Sequence, residues 1–161
     1  MKQREHSARA VAPVRPAEGG YLEDIELSLP LQLLRAREAA MARFRPMLRS
    51  HGLTEQQWRV IRVLAACPDI DASDLARRSL LLAPSLTRIL QYLEAEKLVR
   101  RADHAHDQRR AVFALTARGE QRFAQVAPDA ESLYAGIAAQ FGPAKLERLF
   151  ALLAEFSAAM E

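Results

Sequence analysis

Residues 71–101 read DASDLARRSLLLAPSLTRILQYLEAEKLVRR, and this stretch decides the fold class. Asp71 precedes a short helical segment with an acidic first turn, which should end near Ser79. A longer helix is predicted over residues 83–97, because Pro84 suits a first helical turn and leucine or isoleucine then recurs at intervals of three and four. The two segments together predict a helix-turn-helix pair.

A β-hairpin is predicted directly after this pair. Residues 99–102 and 111–115 have the pattern of short strands, and the polar loop between them is rich in Asp, His and Arg. The pair and the hairpin together predict a mostly α protein: a winged helix-turn-helix with a two-stranded β-hairpin wing.

Two more helices are predicted before the pair. Residues 31–49 place apolar side chains close to helical spacing, and Pro46 should bend this helix or end it early. Thr54 should cap a second helix over residues 55–66, which Pro68 stops.

Two helices are also predicted after the hairpin. Thr116 should cap the first of them, and Pro128 should break or kink it. Pro143 opens the last helix, whose apolar residues again follow helical spacing.

Composition excludes several classes of protein. Half of the 161 residues are hydrophobic, which excludes disorder throughout, and the single cysteine, Cys67, excludes an internal disulfide framework. No apolar stretch is long enough to cross a membrane, so we expect a cytoplasmic protein that needs no cofactor. Cys67 could be a redox sensor, but a buried structural thiol is the simpler interpretation.

Positive charge is concentrated in one part of the chain. Residues 77–110 contain eight basic and four acidic residues, a net charge of +4 within a chain whose total is +3. Such a strip is typical of a surface that binds phosphates.

Four segments with different roles are expected. The first and last helices carry broad apolar faces with no obvious partner inside one copy, which favours a homodimer. A dimer also suits a two-fold, palindromic DNA site, where two helices enter successive major grooves. The segments are a flexible basic arm (1–20), an N-terminal dimerisation helix (21–53), a winged helix-turn-helix lobe (54–116) and C-terminal dimerisation helices (117–161).

The second helix of the pair carries side chains suited to reading double-stranded DNA. Arg88 could bind the O6 and N7 atoms of guanine, and Gln91 could bind adenine. Hydroxyls near the amino terminus of the helix could bind phosphate. An ordinary solvated polar face is the alternative, since every amphipathic helix has one. The predicted contacts on this helix are Pro84, Ser85, Thr87, Arg88 and Gln91.

The wing adds three predicted DNA contacts. Arg109 should enter the minor groove and Asp107 should orient its guanidinium, with Arg110 beside them. A rival interpretation takes His104, His106 and Asp107 as metal ligands, but this set lacks a fourth ligand, so no metal site is predicted.

An ordered set of short motifs resembles the MarR family of ligand-responsive transcription factors. The resemblance covers about residues 28–160. Residues 34–39 and 44–46 further resemble the branch that regulates homoprotocatechuate (hydroxyphenylacetate) degradation. The motifs are Gly52-Leu53-Thr54 with Gln57-Trp58, Asp74-Leu75-Ala76, Leu93-Glu94 with Leu98-Val99-Arg100-Arg101, Asp107-Gln108-Arg109-Arg110, and Leu115-Thr116 with Gly119.

The resemblance implies a triangular homodimer with a ligand pocket between the dimerisation helices and each DNA-binding lobe. It further implies a repressor of an aromatic-acid catabolic operon, released from DNA by a small hydroxylated aromatic or heteroaromatic acid. An arginine could bind the carboxylate of such an acid while Trp58 supplies a flat wall, although plain core packing is an equal explanation for Trp58. The matching effector-binding residues are Ser28, Arg35, His51, Trp58 and Arg62.

Two other functions compete with DNA binding. A helical adaptor that binds other proteins would not need the basic strip of residues 77–110. A metal-dependent enzyme would need a catalytic motif, and the chain contains no GxSxG, HExxH or glycine-rich phosphate loop. The sequence therefore predicts a regulator rather than an enzyme.

Overall fold

A computed structural model describes residues 28–104 and 107–161; the side chains of residues 103–110 are outside the description. The basic arm predicted over residues 1–20 also lies outside the described residues. The described part contains six helices and one three-stranded sheet, which confirms the mostly α winged helix-turn-helix. The elements are α1 (Leu29–Ser50), α2 (Glu55–Ala66), β1 (Ile70–Asp71), α3 (Ala72–Ser79), α4 (Ala83–Ala95), β2 (Val99–His104), β3 (Asp107–Leu115), α5 (Ala117–Phe141) and α6 (Pro143–Ala159).

Three helices begin at the capping residues that the sequence predicts. The side chain of Thr54 accepts a hydrogen bond from the Gln57 amide at 3.2 Å, and the side-chain oxygen of Gln57 accepts one from the Thr54 amide at 2.9 Å. Asp71 and Thr116 cap α3 and α5 by accepting a hydrogen bond from the Asp74 and Gly119 amides. These caps satisfy amides that have no partner within the helix, and they fix where each helix starts.

The sheet is larger than the predicted wing. Its strands are antiparallel in the order β1-β3-β2, and Ile70 on β1 pairs with Phe113 on β3. The prediction of two strands omitted β1, because a two-residue strand has no periodicity of its own. The polar loop predicted over residues 103–110 was also wrong in extent, since β2 continues to His104 and β3 begins at Asp107.

Neither internal proline ends its helix. α1 continues past Pro46 to Ser50, and α5 continues past Pro128 to Phe141, so the predicted alternative of a helix end at these prolines was wrong. The other alternative, a bend or kink, stays a prediction. Buried residues flank both prolines: Phe44 and Leu48 in α1, Val126 and Ala130 in α5. The packing of these neighbours offsets the backbone hydrogen bond that each proline removes.

The chain divides into two compact units, residues 1–41 and residues 42–161. The core of the second unit is formed by leucine, isoleucine and valine side chains from α1, α2, α3, α4 and α5. Its largest fully buried members are Leu48, Val60, Ile61, Leu64, Leu75, Leu93 and Val126.

Two helices, α4 and α6, have features that bear on function. α4 ends at Ala95, two residues before the predicted end, because Lys97 adopts a left-handed conformation with φ 58° that a helix cannot continue. α6 has no buried residue, although it carries several large apolar side chains, Leu149, Phe150, Leu152, Leu153 and Phe156, and Met160 follows directly after it.

Candidate nucleic-acid interface and aromatic site

α4 separates an apolar face from a polar one. Its buried residues are Leu86, Ile89, Leu90 and Leu93, as the leucine spacing predicts. Most of the predicted DNA contacts lie on the other side: Pro84, Thr87, Arg88 and Gln91 are exposed, and Ser85 is half-buried. Thr87 donates its hydroxyl hydrogen to the Ala83 carbonyl at 2.9 Å, so this hydroxyl is already engaged within the helix.

Arginines of this unit differ in whether they are already paired. Arg77 binds Asp74 at 3.0 Å, and Arg100 binds Asp69 at 3.0 Å. Arg88 and Arg101, by contrast, are exposed and form no hydrogen bond or ion pair with any other residue that the structure describes. Guanidinium groups without a partner among the described residues are suited to bind phosphate or base edges.

Arg101 was not among the predicted contacts. It lies on β2 and lines a groove of about 430 Å³ together with residues of α3, α4 and β3. The groove also includes the predicted contacts Thr87 and Gln91. In the sequence Arg101 is one of two adjacent arginines. Successive side chains of a strand point to opposite faces, so Arg101 lines the groove while Arg100 is paired with Asp69.

The three predicted wing contacts lie at the beginning of β3. Asp107 pairs in register with His104, directly beside the undescribed residues 105 and 106. Arg109 and Arg110 follow in the strand, so they are not in a loop as predicted. The side chains of all three are outside the described part, and their roles stay predictions.

A second cluster of side chains consists of two aromatic pairs, one that joins α2 to α5 and one that joins α1 to α5. The ring of Trp58 stacks on that of Phe123 with centroids 5.5 Å apart and planes at 19°. Phe44 packs on Tyr134 with centroids 5.0 Å apart. Trp58 is 6% exposed, so the core-packing interpretation accounts for most of its surface.

Polar groups border this aromatic cluster. Arg62 is exposed and donates to the Tyr134 hydroxyl at 3.3 Å, with its guanidinium carbon 6.0 Å from the centre of that ring. His51 is tied to α5 twice, because its ring nitrogen lies 2.7 Å from Asp129 and its carbonyl accepts a hydrogen bond from Arg122. An arginine beside an aromatic wall provides the chemistry that a planar carboxylate needs.

The predicted effector residues are therefore divided. His51, Trp58 and Arg62 belong to the second unit, where Trp58 and Arg62 contact the aromatic residues of α5. Ser28, which precedes α1, and Arg35, which is exposed on α1, belong to the first unit and stay predictions. Phe44, Phe123 and Tyr134 were missed, since only the pairing of distant helices brings them to Trp58 and Arg62.

The described residues also bear on metal, thiol and membrane chemistry. The rival metal set of His104, His106 and Asp107 lies outside the described side chains. Among the residues that the structure describes, no group of three His, Cys, Asp or Glu side chains could hold a metal ion. Cys67 is half-buried, and its sulfur accepts a contact of 3.5 Å from Arg78. Within the described part, no helix combines the length and the apolar character that a membrane crossing requires.

Comparison with known proteins identifies the family. A model of the MarR family matches residues 51–110, which include the helix-turn-helix. The homoprotocatechuate degradative operon repressor of Escherichia coli is 46% identical over 131 residues, which are 81% of this chain and 88% of that protein. The chain belongs to the MarR family. Members of this family are DNA-binding transcriptional regulators rather than enzymes, so the predicted class is confirmed.

Solved structures of MarR proteins have the same fold. The transcriptional regulator PA4135 is 46% identical with a TM-score of 0.78, and the match covers 81% of this chain and 96% of that one. NadR in complex with 4-hydroxyphenylacetate is 42% identical with a TM-score of 0.73, covering 80% of this chain and 92% of that one. Two of the proteins to which this MarR protein is similar, the Escherichia coli repressor and NadR, are described together with an aromatic acid.

Proposed function

We propose that this protein is a homodimeric repressor of an aromatic-acid catabolic operon and that a small hydroxylated aromatic acid releases it from a palindromic operator. The observation that carries the proposal is the position of the Arg62 guanidinium beside the ring of Tyr134. The stacked pair of Trp58 and Phe123 joins the same two helices. Similarity to the homoprotocatechuate repressor and to NadR with 4-hydroxyphenylacetate supports the same class of effector.

The aromatic site would bind a phenolic acid through two kinds of contact. The exposed guanidinium of Arg62 would pair with the carboxylate, and its present hydrogen bond to Tyr134 is long at 3.3 Å and can be exchanged at little cost. The rings of α2 and α5 would contact the ring of the acid. Ser28 and Arg35 remain predicted contributors.

Operator binding would use α4 in the major groove and the wing beside it. The exposed residues Arg88 and Gln91 would read bases, and Arg101 would add a phosphate contact to those predicted for Asp107, Arg109 and Arg110. A winged helix of this kind covers one half-site, so a palindrome needs two copies.

A second copy would cover the apolar side chains of α6. Five large apolar residues of this helix are between 37% and 55% exposed in one chain, which is unusual for a stable monomer. We therefore propose that α6, together with the N-terminal helix, forms the dimer interface expected for residues 21–53 and 117–161.

Footprinting on the DNA beside the protein's own gene tests this function. The expected result is a protected site with two-fold symmetry and half-sites about 10 base pairs apart. Adding 4-hydroxyphenylacetate should release the protein and remove the footprint, whereas acetate at the same concentration, the control, should leave the footprint unchanged. Protection of a single half-site would contradict the dimer, and protection that no aromatic acid alters would contradict the effector.

A further inference from the structure

The turn between α3 and α4 exposes two leucines to an unusual degree. Leu80 is 81% exposed and Leu82 is 78% exposed, more than any other large apolar side chain among the described residues. Leu81 between them is half-buried. A turn that only joined two helices would gain nothing from presenting these side chains to water.

Leu82 also occupies a position where a polar residue would stabilise the helix. It is the N-cap of α4 and provides no side-chain hydrogen bond to the first turn. The preceding and following helices of the same lobe use Thr54, Asp71 and Thr116 at this position, each with such a bond. Leucine is among the least favourable N-caps, so helix stability does not explain Leu82.

The surroundings of Leu82 indicate what covers it. Its carbonyl accepts the Leu86 amide at 3.0 Å, which places Leu82 at the end of α4 that also carries the predicted contacts Pro84, Ser85 and Arg88. Recognition helices of this class enter the major groove by their amino-terminal residues. There, thymine presents a 5-methyl group, an apolar feature that is read by contact with the apolar atoms of a side chain.

We propose that Leu82 is a specificity-determining residue that contacts the 5-methyl group of a thymine in each half-site. The inference rests on the proposed DNA binding and adds an apolar contact to the polar ones of Arg88 and Gln91. It commits to DNA as the partner of Leu82, because this leucine is continuous with the polar face of α4. Docking of another protein or of a second copy is an outcome that the experiment distinguishes.

Leu80 offers a matched control. It is as exposed as Leu82 but ends α3, with φ 51° and with its amide bound to carbonyls of α3. Leu80→Ala and Leu82→Ala remove the same atoms from the same turn. Both side chains are exposed, so the two variants should fold, and thermal denaturation should show similar midpoints.

The test replaces each thymine of the footprinted site by deoxyuridine, which removes the methyl group and keeps every hydrogen bond. Replacing the contacted thymine in one of the two half-sites should lower the affinity of wild type about fourfold, which corresponds to about 0.8 kcal/mol for one methyl group. Changing both half-sites should cost about fifteenfold. Leu82→Ala should bind the thymine site more weakly than wild type does, and it should bind the thymine and deoxyuridine sites with equal affinity. Leu80→Ala should keep the preference of wild type for the thymine site.

The outcomes separate this inference from the proposed function. If wild type binds the site with no preference for thymine at any position, the contact is refuted while DNA binding stands. If Leu80→Ala rather than Leu82→Ala abolishes the preference, the assignment to Leu82 is refuted. A changed oligomeric state in Leu82→Ala with the preference intact indicates a protein interface instead. Absence of any protected site refutes the proposed function and this inference with it.

Discussion

Replacing Gly119 by alanine should weaken the lobe at the point where α5 begins. A Cβ atom at Gly119 would lie 2.0 Å from the carbonyl oxygen of Leu98 and 3.0 Å from its carbon. Heavy atoms of this kind need about 3.5 Å, so α5 and the start of β2 would have to separate by about 1.5 Å. The obstacle is backbone, which no rotamer change can remove.

This separation would disturb two hydrogen bonds of Thr116. Its amide donates to the Leu98 carbonyl at 3.0 Å, and its hydroxyl donates to the Lys97 carbonyl at 2.6 Å. Overpacking costs about 1–3 kcal/mol and each weakened hydrogen bond about 1 kcal/mol. Alanine regains about 1 kcal/mol as the better helix former, so the expected net loss is about 2–4 kcal/mol.

Gly136→Ala in the same helix is the matched control, because a Cβ built there has no atom within 4 Å among the described residues, apart from the adjoining backbone of α5 itself. This variant should be as stable as wild type or gain up to about 1 kcal/mol. Urea denaturation at one fixed protein concentration measures both free energies of unfolding. Equal stabilisation by the two substitutions would refute the close approach of Gly119 to Leu98.

Three other predictions concern DNA, the effector and a helix cap. Arg88→Ala should reduce the discrimination between bases at one position per half-site by about 1–3 kcal/mol. Arg109→Ala should weaken binding to all DNA sequences alike and lower the salt dependence of the affinity by about one unit of slope per subunit. Fluorescence anisotropy over operator variants and salt concentrations measures both effects, and equal losses of affinity on every sequence for the two variants would contradict the separate roles. Arg62→Ala should leave DNA affinity near that of wild type and raise the 4-hydroxyphenylacetate concentration needed for release by about ten- to a hundredfold, since a charged hydrogen bond contributes about 1.5–3 kcal/mol; an unchanged midpoint would exclude Arg62 from the site, and Tyr134→Phe separates the loss of the hydroxyl from the loss of the ring. Thr54→Ala should lower the free energy of unfolding by about 1 kcal/mol in urea denaturation, while Thr54→Ser should not, and equal stability of both would show that the capping box contributes nothing.

Local chemistry in the sequence predicts most helix starts. Thr54, Asp71 and Thr116 each bond an amide three residues further along the chain, and this geometry depends on neighbours alone. The apolar spacing within residues 83–97 likewise identified the buried face of α4. Where an element is specified by its own residues, the sequence was sufficient.

Features that depend on distant partners were not predictable in the same way. β1 is a strand because Ile70 pairs with Phe113, and the sequence around either residue does not indicate this pairing. α1 and α5 continue through Pro46 and Pro128 because packing outweighs a local penalty that the sequence shows clearly. The contact of Arg62 with Tyr134 joins residues 72 positions apart, so the sequence could name the arginine but not the ring beside it.

The length of α5 gives the lobe a mechanical property. This helix is 25 residues long, and Tyr134 and Thr116 are separated by about 27 Å at about 1.5 Å per residue. A tilt of about 5° around Tyr134 would move the Thr116 end by about 2 Å, which is the size of shift that separates functional states in many proteins. Since Thr116 holds the Lys97 and Leu98 carbonyls, the end of α4 and the base of β2 would travel with it. Under the proposed function, α5 would thus act as a lever that converts a small rotation at the aromatic site into a change in the spacing of the two recognition helices.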